Sequence, residues 1–250
     1  MKLACNYYPE TEALVREGKI DIDYFKFPAL GFQIDILHDI KAFENFAARV
    51  CEVRPILLHG VYPDMDRLLA ASKTPGVSLH PDARPIGDVI QTLQRVRETY
   101  AHMDFVSVEN MPSLRFGALI RPEVITEMVF RSGCDFLLDI SHAWCAARAL
   151  KEDFRAYLSQ LPLERVSEIH INGWEEKNGD IMCHVKINEA GYEILKELLT
   201  VCTPKIITIE YGRPDDRIGC GCPVIRPGEM NAAAMEEIIE QVGRIREIIS

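Results

Sequence analysis

Residues 136–172, FLLDISHAWCAARALKEDFRAYLSQLPLERVSEIHIN, place a long amphipathic stretch between two short apolar runs. The runs FLLDIS and SEIHIN have the length of buried strands, and each ends in polar residues. Between them, CAARALKEDFRAYLSQL (145–161) repeats apolar residues at the three- and four-residue spacing of a helix. Two strands joined through a helix are typical of a parallel βαβ unit, so this stretch predicts an α/β fold.

The same alternation continues over the whole chain of 250 residues. The apolar runs are residues 3–7, 23–28, 55–60, 76–81, 105–110, 136–141, 167–172 and 206–211. Helical patterns separate them, most clearly at 86–103, 122–133, 145–161 and 189–202, and Gly133 fits a helix C-cap. Eight strands that alternate with helices predict a single-domain (β/α)8 TIM barrel over residues 1–250, with an open doubly wound sheet as the alternative. No G-x-G-x-x-G motif follows a strand, so a dinucleotide site is not expected.

Six of the eight predicted strands carry a histidine or an acidic residue near the C-terminal end, where a buried barrel strand is otherwise apolar. These residues are His59, His80, Glu109, Asp139, His170 and Glu210, and they are joined by His142 and His184, which follow two of the strands. The C-terminal strand ends of a barrel meet at one mouth, where burial of unpaired polar side chains is costly. Imidazole and carboxylate ligands suit iron, zinc and manganese. The sequence therefore predicts two or three metal ions, with Glu109 or Glu210 as a bridging ligand.

Each of these residues also has an ordinary structural explanation. A strand-end histidine is often simply hydrogen-bonded, Asp139 can cap the helix that follows it, and Glu210 can pair with Arg213. Such explanations must hold together for five of the seven histidines and for three carboxylates on one barrel rim. We therefore prefer the metal site and keep the structural roles as alternatives for individual residues.

Further residues near the strand ends are candidates for substrate binding. Lys26 can bind an anionic substrate group at the mouth, or it can extend from the barrel rim into solvent. Asn110 and Asn172 can contact the substrate, orient a metal ligand or shape a loop. Arg213 and Arg217 follow the last strand, where anion sites are frequent in TIM barrels, but they can equally be solvated.

Composition limits the partner classes and the compartment. The formal net charge is −10 and no basic stripe is visible, so nucleic acid is not expected as a partner. No apolar run reaches about 18 residues, and charged residues come too early for a signal peptide, so we expect a cytoplasmic protein without a membrane segment. The eight cysteines are scattered apart from Cys220 and Cys222, which predicts reduced thiols rather than a disulfide framework.

The order of the strand-end residues resembles that of the xylose-isomerase-like barrels, which bind metals at the mouth. The stretches EIHINGWEEKNGDIMCH and PKIITIEYG are similar to the multinuclear non-haem iron-dependent oxidative enzymes related to the methanobactin-biosynthesis oxidase. The opening LACNYYPETEALVREGKIDIDYFKFP is similar as well. This resemblance implies that the strand-end residues bind two or three irons and that oxygen is used to modify a cysteine-containing peptide. It also implies a partner protein that presents the peptide.

Two other branches of that superfamily also resemble this chain. HGVY, LHPD, VEN and LDISHAW resemble endonuclease IV, which implies zinc-dependent phosphoester hydrolysis. Glu109, Asp139, His170 and Glu210 resemble the residues around the single manganese of sugar isomerases and epimerases, which implies Glu109 and Glu210 as catalytic proton carriers. In the iron-dependent and endonuclease families an aspartate precedes the late histidine by two residues, whereas Met182 stands there in this chain. That difference predicts a weak or absent metal position, or a barrel that binds metal without turnover.

Overall fold

Parallel strands form one closed barrel in the computed structural model, which describes residues 1–29, 33–82, 84–177, 180–212 and 228–250. Within these ranges eight strands pair in the order β1-β10-β7-β6-β5-β4-β3-β2, and β1 also pairs with β2. The barrel strands are β1 (Lys2–Asn6), β2 (Tyr24–Phe27), β3 (Ile56–His59), β4 (Gly76–Leu79), β5 (Phe105–Glu109), β6 (Asp135–Asp139), β7 (Val166–Ile171) and β10 (Ile206–Ile209). The predicted TIM barrel is confirmed, and the closed sheet rules out the open doubly wound alternative.

Helices connect the barrel strands. Within the described ranges they are α1 (Pro9–Arg16), α2 (Ile40–Val50), α3 (Met65–Ser72), α4 (Ile86–Thr99), α5 (Pro122–Ser132), α6 (Ile140–Leu150), α7 (Phe154–Leu158), α8 (Glu189–Leu198) and α9 (Ala232–Ile249). Three of the predicted helices are confirmed as α4, α5 and α8, and Gly133 ends α5 in the left-handed conformation, as expected. None of these helices combines the length and the apolar character that a membrane span needs.

The prediction of one helix over residues 145–161 is wrong. The helix α6 begins directly after Asp139, which caps it by accepting a hydrogen bond from the backbone N–H of His142. It ends at Leu150 and is followed by Lys151, whose backbone is left-handed at φ = 60°. Asp153 then caps the separate helix α7. The side-chain caps satisfy the backbone groups at the helix starts, so they override an apolar spacing that runs on through the break.

Alternate residues of each strand point into the barrel and form layers of different polarity. The lowest layer, which we name the floor, is a buried apolar cluster of Ala4, Leu57, Phe105 and Ile206. Above it lies a hydrogen-bonded middle layer of Ser78, Ser107, Glu168 and Thr208. Ionisable side chains form the top layer. The strands therefore change from apolar to ionisable as they approach the mouth.

Phe105 fills the floor because β4 begins with a glycine. A Cβ atom at Gly76 would lie 2.6 Å from the ring of Phe105, which is closer than two non-bonded carbon atoms can approach. The ring therefore packs directly on the β4 backbone and closes the lower end of the barrel.

An antiparallel hairpin that the sequence did not predict follows β7. It consists of β8 (Gly173–Lys177) and β9 (Asp180–Val185). Trp174 stacks on Trp144 of α6, with ring centroids 5.8 Å apart. Gly173 has no room for a side chain, because a Cβ atom there would lie 1.9 Å from the carbonyl oxygen of Lys186. These contacts fix the hairpin against α6 next to the mouth.

The cysteines within the described residues are reduced thiols, as predicted. They are Cys5, Cys51, Cys134, Cys145, Cys183 and Cys202. Cys220 and Cys222 lie outside the described residues, so the expectation for this pair stays a prediction.

Candidate metal centre

The structure brings the eight predicted metal ligands together at the mouth of the barrel, in three clusters. We name them the entrance cluster (His59, His80, Glu109), the central cluster (Glu109, Asp139, His170, Glu210) and the hairpin cluster (His142, Cys183, His184). Within each cluster, the ligand atoms lie within 4.8 Å of one another. Glu109 belongs to two clusters, so its carboxylate is positioned to bridge two metal ions.

Glu109, at the end of β5, is surrounded by imidazoles. Its Oε2 lies 2.8 Å from Nε2 of His80 and 3.4 Å from Nε2 of His59. Its Oε1 lies 3.2 Å from Nδ1 of His142 and 3.6 Å from Nδ1 of His170. The carboxylate itself is fully buried, whereas the His80 side chain is 53% exposed. The entrance cluster is therefore the part of the centre that opens to solvent.

Glu210 connects the central cluster to the hairpin cluster. Its Oε2 lies 3.2 Å from Nδ1 of His170 and 3.3 Å from Nε2 of His184. It also forms an ion pair with the buried ammonium of Lys26. Burial alone would lower the pKa of Lys26, but Glu210 and the neighbouring carboxylates hold it above its usual value. Lys26 therefore lies charged inside the mouth and does not extend into solvent, while its contact with a substrate stays a prediction.

Two residues of the entrance cluster have buried ligand atoms without hydrogen bonds. Within the described residues, neither carboxylate oxygen of Glu109 and neither ring nitrogen of His59 has a hydrogen-bond partner of suitable geometry. Burial, together with the charge of Lys26, holds the pKa of His59 well below its usual value, so the imidazole is neutral and keeps a free lone pair. Close nitrogen and oxygen lone pairs with no proton between them are costly unless a cation lies there. The donor set therefore fits metal ions such as iron, zinc or manganese.

The mouth contains more buried negative than positive charge. Its buried carboxylates are Glu109, Asp139, Glu168 and Glu210. The buried positive groups among the described residues are the ammonium of Lys26 and the imidazoles of His142 and His170; burial alone would lower the pKa of these imidazoles, but the neighbouring carboxylates hold it well above its usual value. Burial alone would raise the pKa of Glu109, but the imidazoles of His80 and His170 hold it well below its usual value. The charge of Lys26 does the same for the pKa of Glu210 against the effect of burial. Bound cations would balance the remaining negative charge.

Asp139 caps α6 and at the same time belongs to the central cluster. Its Oδ1 accepts the backbone N–H of His142 at 2.8 Å. Its Oδ2 accepts a hydrogen bond from Nδ2 of Asn172 at 3.0 Å and lies 4.0 Å from Nδ1 of His170. Asn110 fixes the backbone here, since it donates to the Asp139 carbonyl and accepts from its N–H. The capping alternative for Asp139 is confirmed, and it leaves Oδ2 directed at the cluster.

The two asparagines predicted to bind substrate are fully buried beside these ligands. Besides its bond to Asp139, Asn172 accepts the backbone N–H of His184 at 2.7 Å. The amides of both asparagines therefore orient the residues of the clusters, and their contact with a substrate stays a prediction. Arg213 and Arg217 lie outside the described residues, so the same applies to them.

Sequence reasoning missed Glu168, which lies two residues before His170 on β7. Its Oε1 lies 3.1 Å from Nε2 of His170 and accepts the Thr208 hydroxyl at 2.7 Å. Its Oε2 accepts the Ser78 hydroxyl at 2.5 Å. A carboxylate that binds one ring nitrogen of a histidine fixes the tautomer and leaves the other nitrogen for a metal. The two-residue spacing, which puts Glu168 and His170 on one face of a strand, could have revealed it.

Comparison with known proteins places this site in a family. The sequence profile of the RiPP precursor modification enzyme MbnB/TglH/ChrH family matches residues 83–215, just over half of the chain. The chain belongs to this family. The matched range contains Glu109, Asp139, His142, His170, His184 and Glu210. The matched range therefore contains the whole central cluster and the two histidines of the hairpin cluster.

Curated relatives match shorter stretches of the chain. A UPF0276 protein from Bordetella pertussis is 43% identical over 51 residues, which are 20% of this chain and 18% of that protein. A UPF0276 protein from Paraburkholderia phytofirmans is 39% identical over 121 residues, which are 46% of this chain and 38% of that protein. The matched stretches therefore cover well under two thirds of either relative.

A solved structure supports the fold. Endonuclease IV from Thermus thermophilus superimposes with a TM-score of 0.57 and 16% sequence identity, over 99% of this chain and 100% of that chain. At this identity the likeness shows the fold alone. The family match, the UPF0276 relatives and this shared fold together support the xylose-isomerase-like TIM barrel that the order of the strand-end residues predicts.

Proposed function

We propose that the protein is a multinuclear iron enzyme that uses dioxygen to oxidise a thiol-containing substrate, such as a cysteine of a peptide. The observation that carries this proposal is the row of three ligand clusters at the mouth, two of them joined by Glu109. The family of RiPP precursor modification enzymes supports a peptide as the substrate class. Bound iron would supply a binding site for the thiolate and redox chemistry with oxygen.

The residues of the mouth have different tasks in this proposal. Glu109 would be a ligand shared by two metal positions, because its two oxygens face different imidazoles. Glu210, which like Glu109 was predicted to be catalytic, is a ligand that is partly neutralised by Lys26. This neutralisation reduces the repulsion that a buried carboxylate exerts on an incoming thiolate. Asn110 and Asn172 keep Asp139 in place through their hydrogen bonds.

A pocket beside the entrance cluster offers the substrate a route to the metals. It has a volume of about 360 Å³ and includes His59, Tyr62, His80, Leu93 and Val96 in its lining. This volume lies at the lower end of small-molecule sites, so it admits a side chain rather than a folded domain. A peptide would therefore insert one residue. A partner protein that presents this peptide is part of the proposal.

The first test is the metal content of untagged protein purified without oxygen. We expect two or three irons per chain, followed by oxygen consumption when a cysteine-containing peptide is added. The variant His142→Ala should lose metal, whereas His102→Ala serves as the control because His102 is exposed. Iron-loaded protein that consumes no oxygen with any thiol peptide would refute the oxidation.

Zinc-dependent phosphoester hydrolysis is the second candidate. A carboxylate shared by two clusters, as Glu109 is here, also suits a two-metal site that activates water and holds phosphoryl oxygens. Two or three zinc ions, with hydrolysis of a small phosphodiester, would favour this reaction. A single manganese ion would instead favour a sugar isomerase or epimerase. Metal without turnover of any of these substrates would indicate a binding barrel.

A further inference from the structure

The hairpin cluster contains a sulfur atom, unlike the entrance and central clusters. Its imidazoles, His142 and His184, are 6% and 1% exposed, and Cys183 between them is 7% exposed. One ligand atom from each lies within 4.8 Å of the other two. Among the cysteines of the described residues, Cys183 alone belongs to such a group. Two imidazoles and a thiol at this separation form the donor set of a transition-metal site.

The backbone of β9 explains how two consecutive residues reach the same cluster. Neighbouring residues in a regular strand point to opposite faces. His184 breaks this alternation because its backbone is left-handed, with φ = 60°. For a residue other than glycine, this conformation is strained and persists only where the surroundings fix it. Here the fixing contacts are hydrogen bonds from the His184 N–H to Asn172, at 2.7 Å, and from the Gly212 N–H to the His184 carbonyl, at 2.8 Å.

Contacts with α6 and with the neighbouring strand hold Cys183 in the cluster. Its side chain is hydrogen-bonded to the imidazole of His142. On the hairpin it pairs with Trp174, whose ring stacks on Trp144. Cys51 differs, because its thiol donates to backbone carbonyls at the end of α3 and belongs to none of the three clusters. Cys51 therefore provides a matched cysteine without a metal-binding neighbourhood.

We propose that Cys183 is a metal ligand and that the hairpin cluster binds one metal ion through two imidazole nitrogens and one sulfur. The thiol proton passes to solvent as the metal–sulfur bond forms. Three protein ligands are typical of a catalytic site that keeps a position open. The centre would then have two kinds of metal position, because the entrance and central clusters offer only nitrogen and oxygen. Sulfur selects softer metals than carboxylate does, so the positions differ in metal preference.

This inference rests on the proposed metal centre but not on the oxidation of a thiol substrate. It is tested with cobalt(II), which gives a near-ultraviolet charge-transfer band only when sulfur is a ligand. We expect the band in wild-type protein and in Cys51→Ser, and its loss in Cys183→Ser. We also expect Cys183→Ser to bind about one cobalt ion fewer per chain while the other clusters stay loaded.

A second measurement does not depend on the folding of a variant. X-ray absorption of zinc-loaded wild-type protein should show a sulfur neighbour at about 2.3 Å besides nitrogen and oxygen. Absence of that sulfur, or a cobalt band that survives Cys183→Ser in folded protein, would overturn the assignment of Cys183 and leave the metal centre intact. Failure of wild-type protein to bind cobalt, zinc or iron at all would instead refute the metal centre and the proposed function together.

Discussion

The floor and the mouth of the barrel are formed by the same strands but have opposite chemistry. On β5, the inward residues are Phe105 at the floor, Ser107 in the middle layer and Glu109 at the mouth. The strand β10 repeats this order from an apolar residue through a hydroxyl to a carboxylate. Apolar burial at the floor stabilises the fold, whereas buried ionisable groups at the mouth require partners. We therefore expect substitutions at the floor to change the stability of the fold and substitutions at the mouth to change metal binding, largely independently of each other.

The largest effect is expected from Asp139→Ala at the mouth. It removes the carboxylate whose Oδ2 lies 4.0 Å from Nδ1 of His170 and 3.9 Å from Nε2 of His142. Metal and oxygen-consuming activity should therefore both be lost. Metal analysis of the folded variant checks this. The control is Asp153→Ala, which removes the cap of α7 and should cost about 1 kcal/mol of stability without loss of metal. Full metal content in Asp139→Ala would contradict the site.

Phe105→Ala should have the opposite effect at the floor. It removes a fully buried ring, so the free energy of unfolding should fall by about 3–5 kcal/mol. The metal content of each folded chain should stay unchanged. Denaturant unfolding and metal analysis of the same sample measure both quantities. Metal loss in chains that are still folded would show that the floor and the mouth are not independent.

Glu168→Gln tests whether the middle layer, which lies between the floor and the mouth, supports metal binding. The amide keeps the size of the carboxylate but weakens its hold on Nε2 of His170, so metal affinity should fall about 10- to 100-fold. Competition with a chelator of known affinity measures the change. Ser107→Ala is the control, since Ser107 lies in the same layer but contacts Ser78 and not His170. An equal loss of affinity in both variants would assign it to disturbed packing.

The smallest effect is expected outside the barrel, in Arg155→Ala. Arg155 pairs with Glu197 at 2.6 Å, but the two side chains are 66% and 54% exposed. Solvent screens such pairs, so the free energy of unfolding should change by about 1 kcal/mol or less, and the metal content not at all. Thermal unfolding in low and high salt checks this. A larger change in the free energy of unfolding, or any change in metal content, would mean that the outer helices also affect the stability of the floor or the metal binding of the mouth.

Most of the mouth was predictable because its residues interrupt apolar runs. A buried strand has little reason to end in His170 or Glu210 unless the end of the strand is functional. The barrel fold then places all C-terminal strand ends on one rim. For this reason His59 and His170, which are far apart in the sequence, have ring centroids only 5.8 Å apart. The sequence also permitted a cap and a ligand at Asp139 as alternatives, and the structure shows that one carboxylate has geometry for both.

The hairpin was not predictable, since its geometry depends on contacts between distant segments. The left-handed backbone of His184 is held by hydrogen bonds with Asn172 and Gly212. Histidine adopts this conformation more often than most residues other than glycine, but only a few per cent of non-glycine residues adopt it, so the residue type alone does not predict it. Without it, Cys183 would be expected on the opposite face of its strand. The break between α6 and α7 is a milder case. There Asp153 was a visible cap signal, but the apolar spacing masked it.

The packing of Phe105 on Gly76 has a consequence for how ligands would enter and leave the mouth. Within the described part of the chain, this ring and its buried apolar neighbours fill the lower end of the barrel, so we expect ligands to reach the clusters from the mouth. A molecule that enters at the mouth must leave by the way it came. With the peptide substrate proposed above, departure of one product and arrival of the next substrate would compete for the same passage, and a long peptide would insert only its end or a turn.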